Sequence, residues 1–209
     1  MIYHIDISLH RVLIMAKSNK SKFAIMGMLA LVPKSSGYDI KKLMEGSTEF
    51  FWKESYSSIY PVLGTLVKEG LIVQHEDLAK SERQRNVYEL TAKGKSELKA
   101  WLDKPAECEQ FRNELLLKLF FGELVPLSTT RKHIEEFRQT LLWKDKIYQS
   151  VKETLQLDQK NEPGLPYWLM TLDFGLRQVK AALEWCESAL KQYDKMESGT
   201  QCLERLNIY

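Results

Sequence analysis

The side chains best placed to do chemistry in this sequence are Ser58, Tyr60, Thr65 and Lys68. With Gly64 they fall on one side of a helical repeat whose other side carries Ile59, Leu63, Leu66 and Val67. Small, hydroxyl and basic groups at that spacing suit hydrogen bonding to base edges and phosphates, because a helix with such an outer face fits a DNA major groove. Bond-making chemistry has no comparable constellation. His4, His10, His75 and His133 are scattered, without metal-ligand spacing. Cys108, Cys186 and Cys202 are isolated and odd in number, and none forms a CxxC pair. No GxSxG, P-loop or GxGxxG motif occurs. The run from Glu107 to Glu109 reads as a solvated hinge. These observations point away from an enzyme and imply neither metal nor cofactor.

The candidate helix has clear punctuation. Ser57 reads as its N-cap, Pro61 falls in the first turn, and Gly70 stops it. An extended segment follows at once, from Leu71 to His75. Residues 85–90 alternate as a second strand, with Val87 and either Tyr88 or Leu90 as core candidates. The polar turn between the strands holds Lys80 and Arg83, with Arg85 just beyond, and all three suit backbone or minor-groove contact. Arg85 could instead brace the turn through an acid. Thr91 caps a further helix that ends before Pro105. Upstream, one helix covers about 20–32, and a second starts near Ser36 and ends at Gly46. Tyr38 sits at the start of that second helix, where free N–H groups favour a phosphate, and it could equally be a core tyrosine. Residues 50–53 read as a short extended piece.

Helix, helix, helix, strand, charged turn, strand is the layout of a winged helix. At residue level the chain resembles the PadR family of transcriptional regulators. The resemblance lies in IMGMLAL at 25–31, GYDI at 37–40, SIYP at 58–61 with Leu63 and Leu66, EGLI at 69–72, and YELTAKG at 88–94. FRNELLLKLFFG at 111–122 resembles the start of the longer C-terminal domain of the family's AphA-like branch. The resemblance implies a cytoplasmic homodimer that binds double-stranded DNA at an inverted-repeat operator, with Tyr38, Ser57, Ser58, Tyr60, Thr65, Lys68, Lys80, Arg83 and Arg85 as DNA-binding candidates. It further implies a small aromatic effector. Family members often carry basic residues where this chain has Gly64 and Thr65. That departure slightly favours the alternative, a helical protein-interaction module that has lost DNA binding.

Charge distribution is consistent with the first reading. The net charge of +2 is uninformative, but residues 16–105 hold 15 Lys and Arg against 11 Asp and Glu, whereas residues 106–209 hold 14 against 16. The 209 residues, 44% of them hydrophobic, suffice for one compact domain plus an extension. No apolar run is long enough to span a membrane. Residues 1–14 make a poor signal peptide, and Met15 resembles a second start, so this stretch reads as a loose extension or a start-site artefact.

The second half reads as nearly all helix. Ser128 is the expected cap of a long helix to about Asp158, in which Ile134, Leu141, Tyr148 and Leu155 recur every seven residues. After a break at 161–166, Leu169, Leu172, Leu176, Val179, Leu183, Cys186, Leu190 and Tyr193 step by three and four. That spacing is a coiled-coil seam, and we read it as the dimerisation surface, a partner helix pair being the simplest cover for it; a core stripe within one chain is the alternative. Trp101, Trp143, Trp168 and Trp185 could line an effector cavity or serve ordinary packing. The expected fold is therefore mainly α with a small β wing: an N-terminal extension (1–19), a winged helix-turn-helix DNA-binding domain (20–104), a helical dimerisation domain (105–198) and a tail (199–209).

Overall fold

The computed structural model describes residues 20–77, 85–107 and 111–206, with side chains as far as 198. The chain divides into two units, 1–108 and 109–209.

The first unit has the order α1 (Lys20–Leu31), α2 (Gly37–Glu45), α3 (Tyr56–Lys68), β1 (Ile72–Asp77), β2 (Arg85–Leu90) and α4 (Ala92–Leu102). The strands pair antiparallel, from Ile72 opposite Leu90 to Asp77 opposite Arg85. Ser35, in the α1–α2 connection, bridges to Tyr88 and so attaches the hairpin to the helices. Apolar faces of the three leading helices meet in one core: Ile25, Met26, Leu29, Ile40, Met44, Ile59, Leu63, Leu66 and Leu71 are fully buried. Val87, Tyr88 and Leu90 are all buried, so β2 contributes both core candidates rather than one.

Local chemistry sets the boundaries. Ser36 and Asp39 form a reciprocal capping box at the start of α2. The cap of α3 is Ser55, not Ser57: the Ser55 side chain accepts from the Ser58 backbone, and the Ser58 hydroxyl accepts from the Ser55 N–H. The expected start was two residues late because three serines in four positions offer the same chemistry. Pro61 consequently lies in the second turn, where its missing N–H removes the bond the Ser57 carbonyl would otherwise accept. At the other end the Leu71 and Gly70 amides donate to the Leu66 and Val67 carbonyls, a Schellman motif that needs Gly70 at φ +68°. The segment expected to be extended at 50–53 begins as a turn, because the Phe51 and Trp52 amides both donate to the Thr48 carbonyl.

The second unit holds α5 (Glu114–Phe120), a single 3-10 turn (Gly122–Leu124), α6 (Leu127–Asp158) and α7 (Leu165–Leu206). α6 starts one residue before Ser128, directly after Pro126 and without a side-chain cap. α7 runs on to Leu206, into the segment expected as a tail. The two long helices form an antiparallel hairpin. Arg131 pairs with Asp194 and Glu197, Phe137 meets Trp185, and Tyr148 packs on Gly175. Its core is Ile134, Leu141 and Tyr148 from α6 with Val179 and Cys186 from α7. Leu172, Leu176, Leu183, Leu190 and Tyr193 pack against it half-buried, and Leu169 is also half-buried. From Leu172 to Tyr193 the α7 seam therefore packs on α6 of its own chain.

Candidate nucleic-acid interface

α3 is sharply two-faced. Ile59, Leu63 and Leu66 are wholly buried, while Tyr56, Ser57, Tyr60, Gly64, Thr65 and Lys68 are exposed. Two tyrosines extend this surface across the helix-turn-helix. Tyr38, the second residue of α2, stacks on Tyr56 with ring centroids 6.3 Å apart and planes 14° apart. Both are well exposed, at 52% and 40%. The Lys42 ammonium lies 5.9 Å from the Tyr38 ring centroid, a cation–π distance. Tyr60 lies over Gly37, where an added methyl would run into its ring. Lys41, Lys53, Glu54, Ser55, Tyr56 and Ser58 line a recess beside the start of α3.

The other candidates are placed as follows. Ser57 is exposed in the first turn, its hydroxyl 2.7 Å from that of Ser55. Ser58 is turned inward: its hydroxyl donates to the Glu54 carboxylate at 2.6 Å, so it is not part of the outer face. Thr65 is exposed, but its hydroxyl donates to the Pro61 carbonyl at 3.0 Å, leaving it an acceptor toward a ligand. Arg85 is half-buried and donates to Asp39 at 3.0 Å, which makes it the brace of the hairpin. Lys80 and Arg83 lie outside the described residues.

Tyr56 was missed by sequence reasoning. Taking Ser57 as the cap left Tyr56 outside the helix, whereas the Ser55–Ser58 box makes it the first helical residue. Glu54 was missed as well. Its carboxylate is buried and accepts from Trp52 Nε1 at 3.0 Å, from Ser58 and from Ser21. Burial alone would raise its pKa, yet these hydrogen bonds hold it below the ordinary carboxylate value.

The four candidate tryptophans are placed as follows. Trp101 belongs to the first unit, where it stacks on Phe23 at 4.7 Å. Trp143 is exposed on α6, Trp168 packs over Gly164, and Trp185 meets Phe137 edge-on. Trp168 and Trp185 are separated along α7 by about 25 Å at 1.5 Å per residue. No helix among the described residues is long and apolar enough to cross a membrane. Among those residues no three His, Cys, Asp or Glu side chains are grouped to hold a metal ion.

A helix-turn-helix whose second helix exposes a polar face beside a two-stranded hairpin defines a winged-helix, DNA-binding type of protein. Comparison with known proteins makes this specific. Residues 25–100 match the transcriptional regulator PadR-like family, and residues 111–194 match the virulence activator alpha C-terminal domain. The chain thus carries a PadR-like domain followed by a virulence activator alpha C-terminal domain. It is 28% identical over 179 residues to the negative transcriptional regulator PadR of Bacillus subtilis (strain 168), covering 83% of this chain and 97% of the relative. The structure of that protein in complex with operator DNA superposes with a TM-score of 0.73 at 27% identity, over 83% of this chain and 99% of the other. Its complex with p-coumaric acid gives 0.68 at 28%, over 83% and 98%. The Vibrio cholerae virulence activator AphA shares the fold, with a TM-score of 0.67 at 23% identity over 84% and 98% of the two chains.

Proposed function

We propose that this chain is a transcriptional regulator acting in the cytoplasm as a homodimer on an inverted-repeat operator, with one α3 entering the major groove at each half-site. The exposed face of α3 carries the reading. Ser57, Tyr60, Thr65 and Lys68 supply donors and acceptors, while Tyr38 and Tyr56 flank them at the helix starts. Lys80 and Arg83 would add backbone contacts from the wing.

Pairing of two chains is supported by α5. This helix buries none of its residues, and Leu116, Leu117, Phe120 and Phe121 are all exposed. Apolar surface gathered on one short helix marks an interface. The seam residues Leu172, Leu176, Leu183 and Leu190 are only half-buried against α6, which leaves part of each for a partner chain, whereas Val179 and Cys186 are already enclosed. The relative's complex with p-coumaric acid supports a small aromatic acid as the effector class.

The test is binding of the full chain to duplex DNA across a salt series. Each phosphate neutralised should steepen log K against log salt by about 0.9. A chain with no salt-dependent binding would be the interaction module instead, a reading favoured by the small Gly64 and the back-bonded Thr65 hydroxyl.

A further inference from the structure

The first two residues of α2 each receive a tyrosine ring from α3. Tyr38 stacks on Tyr56, with ring centroids 6.3 Å apart. Gly37 lies beneath the ring of Tyr60, one turn further along α3. A methyl carbon built on Gly37 would sit 2.8 Å from Tyr60 Cε1, 3.0 Å from Tyr60 Cζ and 3.3 Å from Leu63 Cδ1. Carbon atoms in contact prefer about 3.5–4.0 Å, so the ring occupies the space a side chain would take. The backbone does not require glycine here: φ at Gly37 is not positive, and glycine is a poor helix former. The seat itself is fixed. Gly37 is buried, and the Ser36–Asp39 capping box holds the backbone at the start of α2. Tyr60 is nonetheless 53% exposed, so part of its ring is covered and the rest is open on the outer face of α3.

We infer that Gly37 is a positioning residue for base reading: its missing side chain is the seat that fixes the Tyr60 ring in one orientation on the recognition face. The inference rests on the regulator reading above. A tyrosine offers a hydroxyl that donates and accepts, and a flat apolar ring that can meet a thymine methyl. Both contacts suffer when the ring swings, because hydrogen bonds weaken steeply with misalignment. General attraction to DNA comes from charge on phosphates, and neither residue carries a charge. Of the groups an added methyl meets, Leu63 is wholly buried and would have to give only a few tenths of an ångström. The half-exposed Tyr60 ring can swing into solvent. Gly37→Ala should therefore displace Tyr60, leave the core closed, and cost discrimination between sequences rather than general attraction.

The experiment uses the full chain. Wild-type protein first selects duplexes from a random-sequence library, and affinity is then measured for the selected duplex and a scrambled one of equal length. Gly37→Ala should lower the selected-to-scrambled affinity ratio about tenfold, the order of one mismatched base pair. Its circular dichroism, and its salt slope on the scrambled duplex, should not change. Tyr60→Ala should lower the ratio at least as far. With the ring gone the methyl has room, so adding Gly37→Ala to Tyr60→Ala should lower the ratio no further. A wild-type ratio in either single variant overturns the inference alone, as do additive losses in the double variant. Equal losses on both duplexes would mark a merely structural glycine and overturn it as well. So would loss of circular dichroism in Gly37→Ala, since the glycine would then accommodate the core and not the ring. A wild-type chain that enriches no duplex overturns the regulator reading and this inference with it.

Discussion

Arg85 on β2 and Asp39 on α2 are joined by a hydrogen-bonded ion pair of 3.0 Å that spans 46 positions of sequence. Asp39 is also the acid of the α2 capping box, accepting from the Ser36 N–H at 2.9 Å and the Ser36 hydroxyl at 2.8 Å. One carboxylate thus fixes both the start of α2 and the root of the wing. Arg85→Met and Asp39→Asn should each destabilise the first unit, with a coupling in the double-mutant cycle of about 1 kcal/mol, since both groups are partly exposed. The salt slope for DNA should be unchanged in Arg85→Met. A slope reduced by about one unit would place Arg85 on a phosphate instead.

Glu54 makes acid stability a test of how α3 is anchored. Its folded-state pKa lies below the ordinary 4.5 because Ser21, Ser58 and Trp52 hydrogen-bond the ionised form more strongly than burial penalises it. The stabilisation is therefore complete above pH 4.5 and is lost as pH falls through the depressed value. Denaturant titrations from neutral pH to pH 3 should show a shallower acid limb for Glu54→Gln than for the wild type. Equal acid limbs would mean that the carboxylate is no better held in the folded chain than in the unfolded one.

Two glycines should respond unequally to alanine. A methyl at Gly94 would overlap the Leu71 carbonyl, a backbone atom where α4 crosses the start of the sheet. Overpacking of that kind costs roughly 1–3 kcal/mol or more. Gly70 has open space around it and only its φ of +68° to protect, a cost of about 1–2 kcal/mol for a side-chain-bearing residue. Thermal melts should place Gly94→Ala below Gly70→Ala. The reverse order would show that α4 can slide away from Leu71.

The oligomer interface can be separated from the hairpin core. Phe120, 80% exposed, and Leu117 have little to lose within one chain. Leu117→Glu with Phe120→Glu should give monomers by light scattering with circular dichroism unchanged. DNA affinity should fall, because two linked half-sites become independent ones. Cys186→Glu places a charge at a wholly buried position and should instead melt the hairpin. Dimers that survive the α5 double substitution would shift the interface to the exposed apolar residues of the hairpin, Trp143 on α6 and Phe174 on α7 among them.

Much of this protein is legible in its sequence. The apolar spacing of Ile59, Leu63 and Leu66, the stop at Gly70 and the alternation of residues 85–90 specify α3 and its hairpin from local chemistry alone. The α7 repeat likewise specifies a long two-faced helix, since such signals involve neighbours within one or two turns. Periodicity states that a face is buried and is silent about what buries it. Only the tertiary structure seats the α7 seam on α6 of the same chain and leaves Leu116, Leu117 and Phe120 of α5 exposed while Leu119 packs on the hairpin core. Hydroxyl and charged groups were read as outward because a sequence does not give the rotamer or the distant partner. Ser58 turns in because Glu54 is beside it, and Arg85 is occupied because folding brings Asp39, 46 positions away, to within 3.0 Å. A further contact across a long sequence separation, from Lys22 to Glu69, ties the end of α3 to α1. Residue types along one strand of sequence do not encode such meetings, which exist only once the core has closed.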